Sequence, residues 1–237
     1  MVKLYVIPVE SACNAHCPYC INQFRNLGNS FLSIGDLENC LGEIGFLDAI
    51  EISGGGEPTL HSEIEKIVNV CANKARTQMY SNGSLLDSFS LDILKRLNPL
   101  CISRAHYDSE KNDSIMGVRY SEDIFSRGLN IKLSAVLFKR GVDSPEEVEK
   151  YISWAKGKAS NIVFRPLFED VNYLSEIKDR IVSLDSFAKY FGFSILEGKN
   201  FKTIIDGLGV EFEVRSCSCE NLNPILHANG KLNYTWD

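Results

Sequence analysis

From residue 2 to about residue 196 the chain alternates between short β-rich runs and helical stretches, and this alternation restricts the fold more than any other feature. The β-rich runs occupy 2–9, 49–53, 77–81, 100–104, 130–138 and 161–167. Helical spacing of apolar residues falls between them, over 33–46, 62–73, 91–97 and 175–191. Ser144 and Pro145, followed by Glu146 and Glu147, open another helix: serine caps the free N–H groups, proline suits the first turn, and acids suit its dipole. Six such repeats predict an α/β fold with a parallel sheet and helices outside it. A further short strand is predicted over 193–196. From about residue 198 the pattern changes to two apolar pairs of runs. One flanks a Gly-rich turn, and the other flanks Asn229-Gly230, a strong hairpin signal. We therefore expect one α/β unit over 1–197 and a small C-terminal β extension over 198–237.

The residues able to do chemistry fall where strands end. They are Cys13 to Cys20 after the first strand, Gly54 to Glu57 after the second, Ser81 to Gly83 after the third, and Ser103 to His106 at the fourth. Parallel barrels and open α/β sheets bind ligands at the carboxyl ends of their strands, so these segments are expected to share one rim. Cys13, Cys17 and Cys20 stand on one short loop, and no fourth cysteine lies nearby. Three thiolates can hold three corners of a metal cluster and leave one metal with an open position.

The chain carries eight cysteines, and in a cytosolic chain they argue for metal binding or buried thiols rather than a disulfide framework. Cys40, Cys71 and Cys101 lie singly in apolar segments and are expected in the core. The net charge of −6 disfavours tight binding to a long nucleic acid, whose affinity comes largely from phosphate neutralisation. No apolar run is long enough to span a bilayer, and the first residues lack the pattern of a signal peptide, so a cytoplasmic location is expected.

The spacing Cys13-x3-Cys17-x2-Cys20, with Tyr19 before the last cysteine, resembles the signature of radical S-adenosylmethionine (SAM) enzymes. Gly55-Gly56-Glu57-Pro58 at the end of the second strand resembles their second signature, and the resemblance covers roughly residues 1–196. It implies a partial (β/α)6 TIM-like barrel holding a [4Fe–4S] cluster through Cys13, Cys17 and Cys20, with SAM chelating the open iron. It further implies an enzyme that cleaves SAM reductively to a 5′-deoxyadenosyl radical, which takes hydrogen from a small-molecule or peptide substrate. An electron donor such as flavodoxin or ferredoxin is implied as well. On the same resemblance, Tyr19, Gly54, Gly55, Gly56, Glu57, Ser81, Asn82, Ser103, Arg104, Ser134 and Phe164 are the expected SAM contacts. His106, Arg165, Cys217 and Cys219 are the expected substrate or second-metal residues.

Within the family the chain looks most like the branch of the molybdopterin-biosynthesis GTP cyclase and the SPASM/twitch-type peptide maturases. It departs from that branch in the tail, which has only two cysteines and places Asn233 to Trp236 where another ligand is expected. The glycine-rich end that the cyclase uses is also missing, so a GTP cyclase is not expected, and the tail reads as a degenerate twitch-like unit. Three alternatives stand beside this reading. One is a structural zinc site completed by His16 or the tail cysteines; another is a deazapurine ring-contraction enzyme of the 7-carboxy-7-deazaguanine synthase type. The third is a non-catalytic iron–sulfur electron carrier.

Overall fold

The computed structural model of the chain describes residues 2–20, 22, 28–167, 183–193, 200–213 and 223–234. Strands β1 (Lys3–Val6), β2 (Ala49–Ile52), β3 (Arg76–Ser81), β4 (Leu97–Ser103), β5 (Ile131–Leu137) and β6 (Asn161–Pro166) pair in sequence order, each parallel to the last. Helices α1 (Ile34–Glu43), α2 (Ile64–Lys74), α3 (Leu91–Lys95), α4 (Ser109–Met116) and α5 (Pro145–Ala155) form the crossovers, and α6 (Asp185–Phe191) follows β6. Ser33, Ser90, Asp108 and Ser144 cap α1, α3, α4 and α5 through side-chain oxygens that accept backbone N–H groups. This is a mixed α/β architecture with the parallel sheet of a partial TIM-like barrel.

The tail extends that sheet at both edges. Strands β7 (Phe201–Ile205) and β8 (Leu208–Phe212) form an antiparallel hairpin, and β8 runs parallel to β6. Strands β9 (Ile225–Leu226) and β10 (Leu232–Asn233) form a second hairpin, and β9 runs parallel to β1. The strand order is therefore β10-β9-β1-β2-β3-β4-β5-β6-β8-β7. The first hairpin begins its return strand two residues earlier than the sequence suggests. Asp206 and Gly207 both take positive φ, the geometry of a two-residue turn that matches the twist of its strands.

Helix α4 has no counterpart in the sequence reading. Its inward side buries only Asn112 and Met116, so it carries no apolar stripe to betray it. The first half of the predicted helix over 175–191 and all but residue 193 of the strand over 193–196 lie outside the described residues, as do Cys217, Cys219 and Trp236, while the second half of that helix is α6. No described helix is long and apolar enough to cross a membrane.

The two faces of the sheet differ sharply. Leu4, Val6, Ile50, Ile52, Met79, Leu100, Ile102, Leu133, Ile162, Phe164 and Phe212 join one core with helix residues such as Leu37, Ile67, Val68 and Tyr151. The alternate residues face the other way. Register places Tyr5 beside Glu51 and Gln78, Tyr80 beside Cys101 and Lys132, and Val163 beside Glu211. Lys3, Lys132, Arg165 and Glu213 share that parity. Parallel sheets covered on both faces carry near-continuous apolar strands. Here the described helices pack on the convex face, and the strands alternate accordingly. Arg165 on β6 nevertheless reaches Tyr80 on β3, with Nη2 donating to the phenol oxygen at 3.1 Å. Those strands lie three spacings apart, about 14 Å along a flat sheet. Curling brings the polar face around an interior.

Candidate functional site

The cysteine loop leaves β1 and is stitched to the ends of its neighbours. Backbone N–H groups of Gly56 and Glu57 donate to Val9 and Ala12 carbonyls at 3.1 and 2.9 Å. His16 N–H donates to the Met116 carbonyl at 2.8 Å, at the end of α4, and the Tyr19 ring packs on Phe138 beyond β5, centroids 4.8 Å apart. Asn14 accepts from the Asn82 side-chain amide and donates to the Ser84 hydroxyl, both at 2.8 Å, while Ser84 donates back to Asn82. The cysteine loop is thereby tied to segments beyond β2, β3, β4 and β5, the shared rim that the strand ends predict.

The glycines of the second motif serve this packing. A Cβ on Gly56 would overlap the Ala12 carbonyl oxygen, and one on Gly54 would stand 2.7 Å from Ile7 Cγ2. Only a bare backbone lets the two motifs close against each other. The Asn22 side-chain amide donates to the Gly55 carbonyl.

Glu57 is buried, and four donors reach its carboxylate. Thr59 N–H at 3.1 Å, Thr59 Oγ1 at 2.7 Å and Ser81 Oγ at 2.8 Å share one oxygen, and Asn82 N–H at 2.7 Å takes the other. A buried carboxylate survives only with such pairing. Glu57 thus holds the ends of β2 and β3 together and fixes Asn82 beside the cysteine loop. Ser81 also accepts from Gly83 N–H at 3.0 Å. Ser103 and Ser134 stand side by side in register on β4 and β5, on the concave face.

Cys13 is exposed, and Cys17 and Cys20 are half-buried. Ala15 N–H points to the Cys13 sulfur at 3.4 Å. Burial pushes the Cys17 thiol up to about 12, and the nearby Cys20 and Cys13 push in the same direction. Burial also raises Cys13, aided by Glu57 and Cys20 and opposed by Ala15 N–H and Asn82. Three cysteine sulfurs on one short loop suit iron, because a bound cation favours the thiolate form and thiolates are its soft ligands. The donor set therefore fits an iron–sulfur cluster held by Cys13, Cys17 and Cys20. Among the described residues no three His, Cys, Asp or Glu side chains are gathered around one ion position.

Three expected ligand contacts have other roles. Arg104 is 1% exposed and lies behind the rim. Its guanidinium donates to His106 and Tyr107 carbonyls, the Tyr120 and Ser109 hydroxyls and Glu122 at 2.7–3.1 Å, and stacks on Trp154. A fork so fully occupied has nothing left for a SAM carboxylate. His106 is equally engaged: Nδ1 accepts from Asp108 N–H at 3.0 Å and Nε2 meets Glu147 at 3.1 Å. Burial, with Lys111, holds its pKa below the ordinary value against the pull of Glu147 and Asp108. Phe164 packs on Tyr151 and Phe212 in the convex core, on the opposite side of the sheet from Arg165. At Phe164 one step along the strand reverses the face, whereas Arg104 and His106 lie beyond β4, where the chain turns back toward α4 and α5.

Arg165 goes the other way and lies on the concave face. Besides its bond to Tyr80, its Nε lies 3.3 Å from Glu213 in ion contact without hydrogen-bond geometry. Burial disfavours its charge, yet Tyr80 and Glu213 outweigh it and raise the pKa. Tyr80, Glu51 and Glu213 escaped the sequence reading, although the alternation in β3 and β6 carried the signal. Asn14 and Ser84 were missed too, and their nearness to Cys13 and to Ser81–Gly83 was the available clue.

The chain is 28% identical over 137 residues to a probable GTP 3′,8-cyclase of Methanopyrus kandleri, a match covering 56% of this chain and 44% of the relative. It superimposes on Streptococcus suis SuiB bound to the precursor peptide SuiA with a TM-score of 0.72 at 19% identity, over 98% of this chain and 58% of SuiB. Against anSMEcpe with bound AdoMet the TM-score is 0.59 at 17% identity, over 99% of this chain and 74% of that one. The chain thus spans under half of the curated relative and under two thirds of SuiB. The family model described as the radical SAM superfamily matches residues 7–131, from the end of β1 through β4 and into β5. That match takes in both motifs and the segments beyond β2, β3 and β4 that are stitched to them, and the chain belongs to the radical SAM superfamily.

Proposed function

We propose that this chain is a radical SAM enzyme acting on a small-molecule or peptide substrate at the rim of its partial barrel. Cys13, Cys17 and Cys20 would hold a [4Fe–4S] cluster, and SAM would bind against Gly54–Glu57, Ser81 and Asn82. When bound, cluster and SAM supply one-electron cleavage of the sulfonium and a 5′-deoxyadenosyl radical; the protein binds, orients and excludes water. Ser103 and Ser134 would offer hydroxyls from the concave face, and Tyr19 would close the loop against Phe138. Residues 198–237 would act as an extension that borders the barrel at both edges. A flavodoxin or ferredoxin would supply the electron.

The observation that carries this reading is the pair of backbone hydrogen bonds from Gly56 and Glu57 to the cysteine loop. They join a thiolate trio to a bare-backbone strand end, the combination that a cluster-bound SAM requires. SuiB bound to its precursor peptide supports a peptide among the substrates.

Anaerobic reconstitution with iron and sulfide tests it. The expected product binds a cluster, shows a SAM-dependent change in the electron paramagnetic resonance spectrum of the reduced cluster, and releases 5′-deoxyadenosine. Cys17→Ala should abolish that release. A cluster whose spectrum ignores SAM would instead indicate an electron carrier, and zinc in the loop would overturn the reading altogether.

A further inference from the structure

We propose that Arg165, braced by Tyr80, is the anchor for a single carboxylate on the substrate, and that the interior does not accept a polyphosphate. The proposal rests on the radical SAM reading for the word substrate; the anion site itself is built from Arg165, Tyr80 and Glu213.

The first observation is a guanidinium that is charge-paired with Glu213 but short of hydrogen bonds. Arg165 makes one hydrogen bond among the described residues, to Tyr80, and its buried Nε has no hydrogen-bond partner. Native proteins rarely leave a buried donor so, and each case calls for an explanation. Arg104, of identical chemistry two strands away, has five acceptors. The fold can therefore satisfy a guanidinium fully, and at Arg165 it does not. A planar fork with free donors matches a carboxylate in bidentate geometry.

The second observation is position. Arg165 is the penultimate residue of β6 and Tyr80 the penultimate residue of β3. Both stand at the end of the strands that carries the cysteine loop. The Tyr80 ring lies under the guanidinium, 5.0 Å from it, which restrains the fork without using its donors. Tyr80 precedes Ser81, which Glu57 holds. The anchor and the cysteine-loop network thus share one rigid strand end.

The third observation sets the charge of the guest. The concave face carries three half-buried cations, Lys3, Lys132 and Arg165, against three acids, Glu51, Glu211 and Glu213 just beyond β8, and the more exposed Lys202 also reaches Glu211 at 3.4 Å. Lys3 and Glu51 pair at 3.0 Å, and Lys132 and Glu211 lie 3.8 Å apart. Glu213 stands beside Arg165 itself. One carboxylate can share this guanidinium with its acidic neighbour. Among the described residues each half-buried cation of that face already stands beside an acid, so a triphosphate would bring several charges with no uncommitted cation there to meet them. This separates the chain from a nucleoside-triphosphate enzyme on electrostatic grounds, although a probable GTP 3′,8-cyclase is among its relatives.

The test is isothermal titration of the cluster-loaded protein with hippurate, a carboxylate attached to an amide, and separately with inorganic tripolyphosphate, each with and without SAM. Hippurate should bind wild type and bind Arg165→Gln at least tenfold more weakly, about the value of a charge-assisted fork. Arg165→Lys should fall between them, and Tyr80→Phe should lose about threefold. Thermal melts establish that each variant is folded, and Tyr80→Phe, which removes one hydroxyl, keeps the test open if Arg165→Gln does not fold. Tripolyphosphate should bind no more tightly than hippurate, and SAM should not displace hippurate. The proposal fails if hippurate ignores wild type, if the Arg165→Gln and Tyr80→Phe variants bind it unchanged, if tripolyphosphate binds more tightly, or if SAM competes with it. The function reading fails separately, if SAM leaves the reduced cluster's spectrum of the same wild-type sample unaltered.

Discussion

Arg104 and Arg165 each follow a parallel strand toward its carboxyl end, yet they serve opposite ends of the protein's economy of structure. Arg104 turns back behind the rim, where five acceptors and two aromatic rings enclose it. Tyr151 adds a hydroxyl bond to the Arg104 carbonyl at 3.0 Å. This knot fastens β4 to α4, α5 and the 3-10 turn at Glu122–Ser126. Arg165 turns inward to a polar interior and keeps donors in reserve. A saturated cation is a fastener, because removing it strands every partner. An unsaturated one in an enclosed space is a receptor, because its partner arrives from outside.

That contrast can be broken by substitution. Arg104→Met should cost the most, about 3–5 kcal/mol of unfolding free energy, since it leaves Glu122 and two backbone carbonyls without their donor; a denaturant midpoint equal to wild type would dissolve the distinction. Glu57→Gln should cost about 1–3 kcal/mol, because an amide NH2 must then face either Asn82 N–H or the donors from Thr59 and Ser81. Its SAM affinity, measured by titration, should fall with it as Asn82 loses its anchor. Arg165→Gln should change stability by only about 1 kcal/mol, measured by the same denaturation. A loss as large as that of Arg104→Met would make Arg165 another fastener.

The smallest effect is a pH dependence within the knot. His106 is held below its ordinary pKa of 6.5, so below that pH the unfolded chain binds more protons than the folded one. Stability should therefore fall as pH drops from 6.5, by less than about 1 kcal/mol over the first pH unit. Glu147 is also lowered, and its contribution is lost only further down, in the carboxylate range. His106→Gln should flatten the slope just below 6.5, and melts across that range would detect a slope that persists.

Much of this was legible in the chain. Cys13-x3-Cys17-x2-Cys20 and Gly55-Gly56-Glu57-Pro58 are local, and each sits where a β-rich run stops, so their placement at one rim followed from the parallel alternation alone. Gly56 was legible as a position needing bare backbone, but its neighbour was not: the approaching atom is the Ala12 carbonyl. Arg104, His106 and Phe164 were misplaced because nearness to a strand end was taken for access to the interior. Tyr80 and Glu213 were passed over because their meaning lies in Arg165, which is 85 residues from Tyr80 in the chain.

The order of strands, the sheet's parallel sense and the thiol loop at its rim were decided by periodicity and motif, which act over a few residues and need no partner. Which face each strand-end side chain serves, and whether the fold saturates it, was decided only by register and curvature. A one-residue step inverts a side chain, and curling of the sheet brings together residues that no local pattern connects.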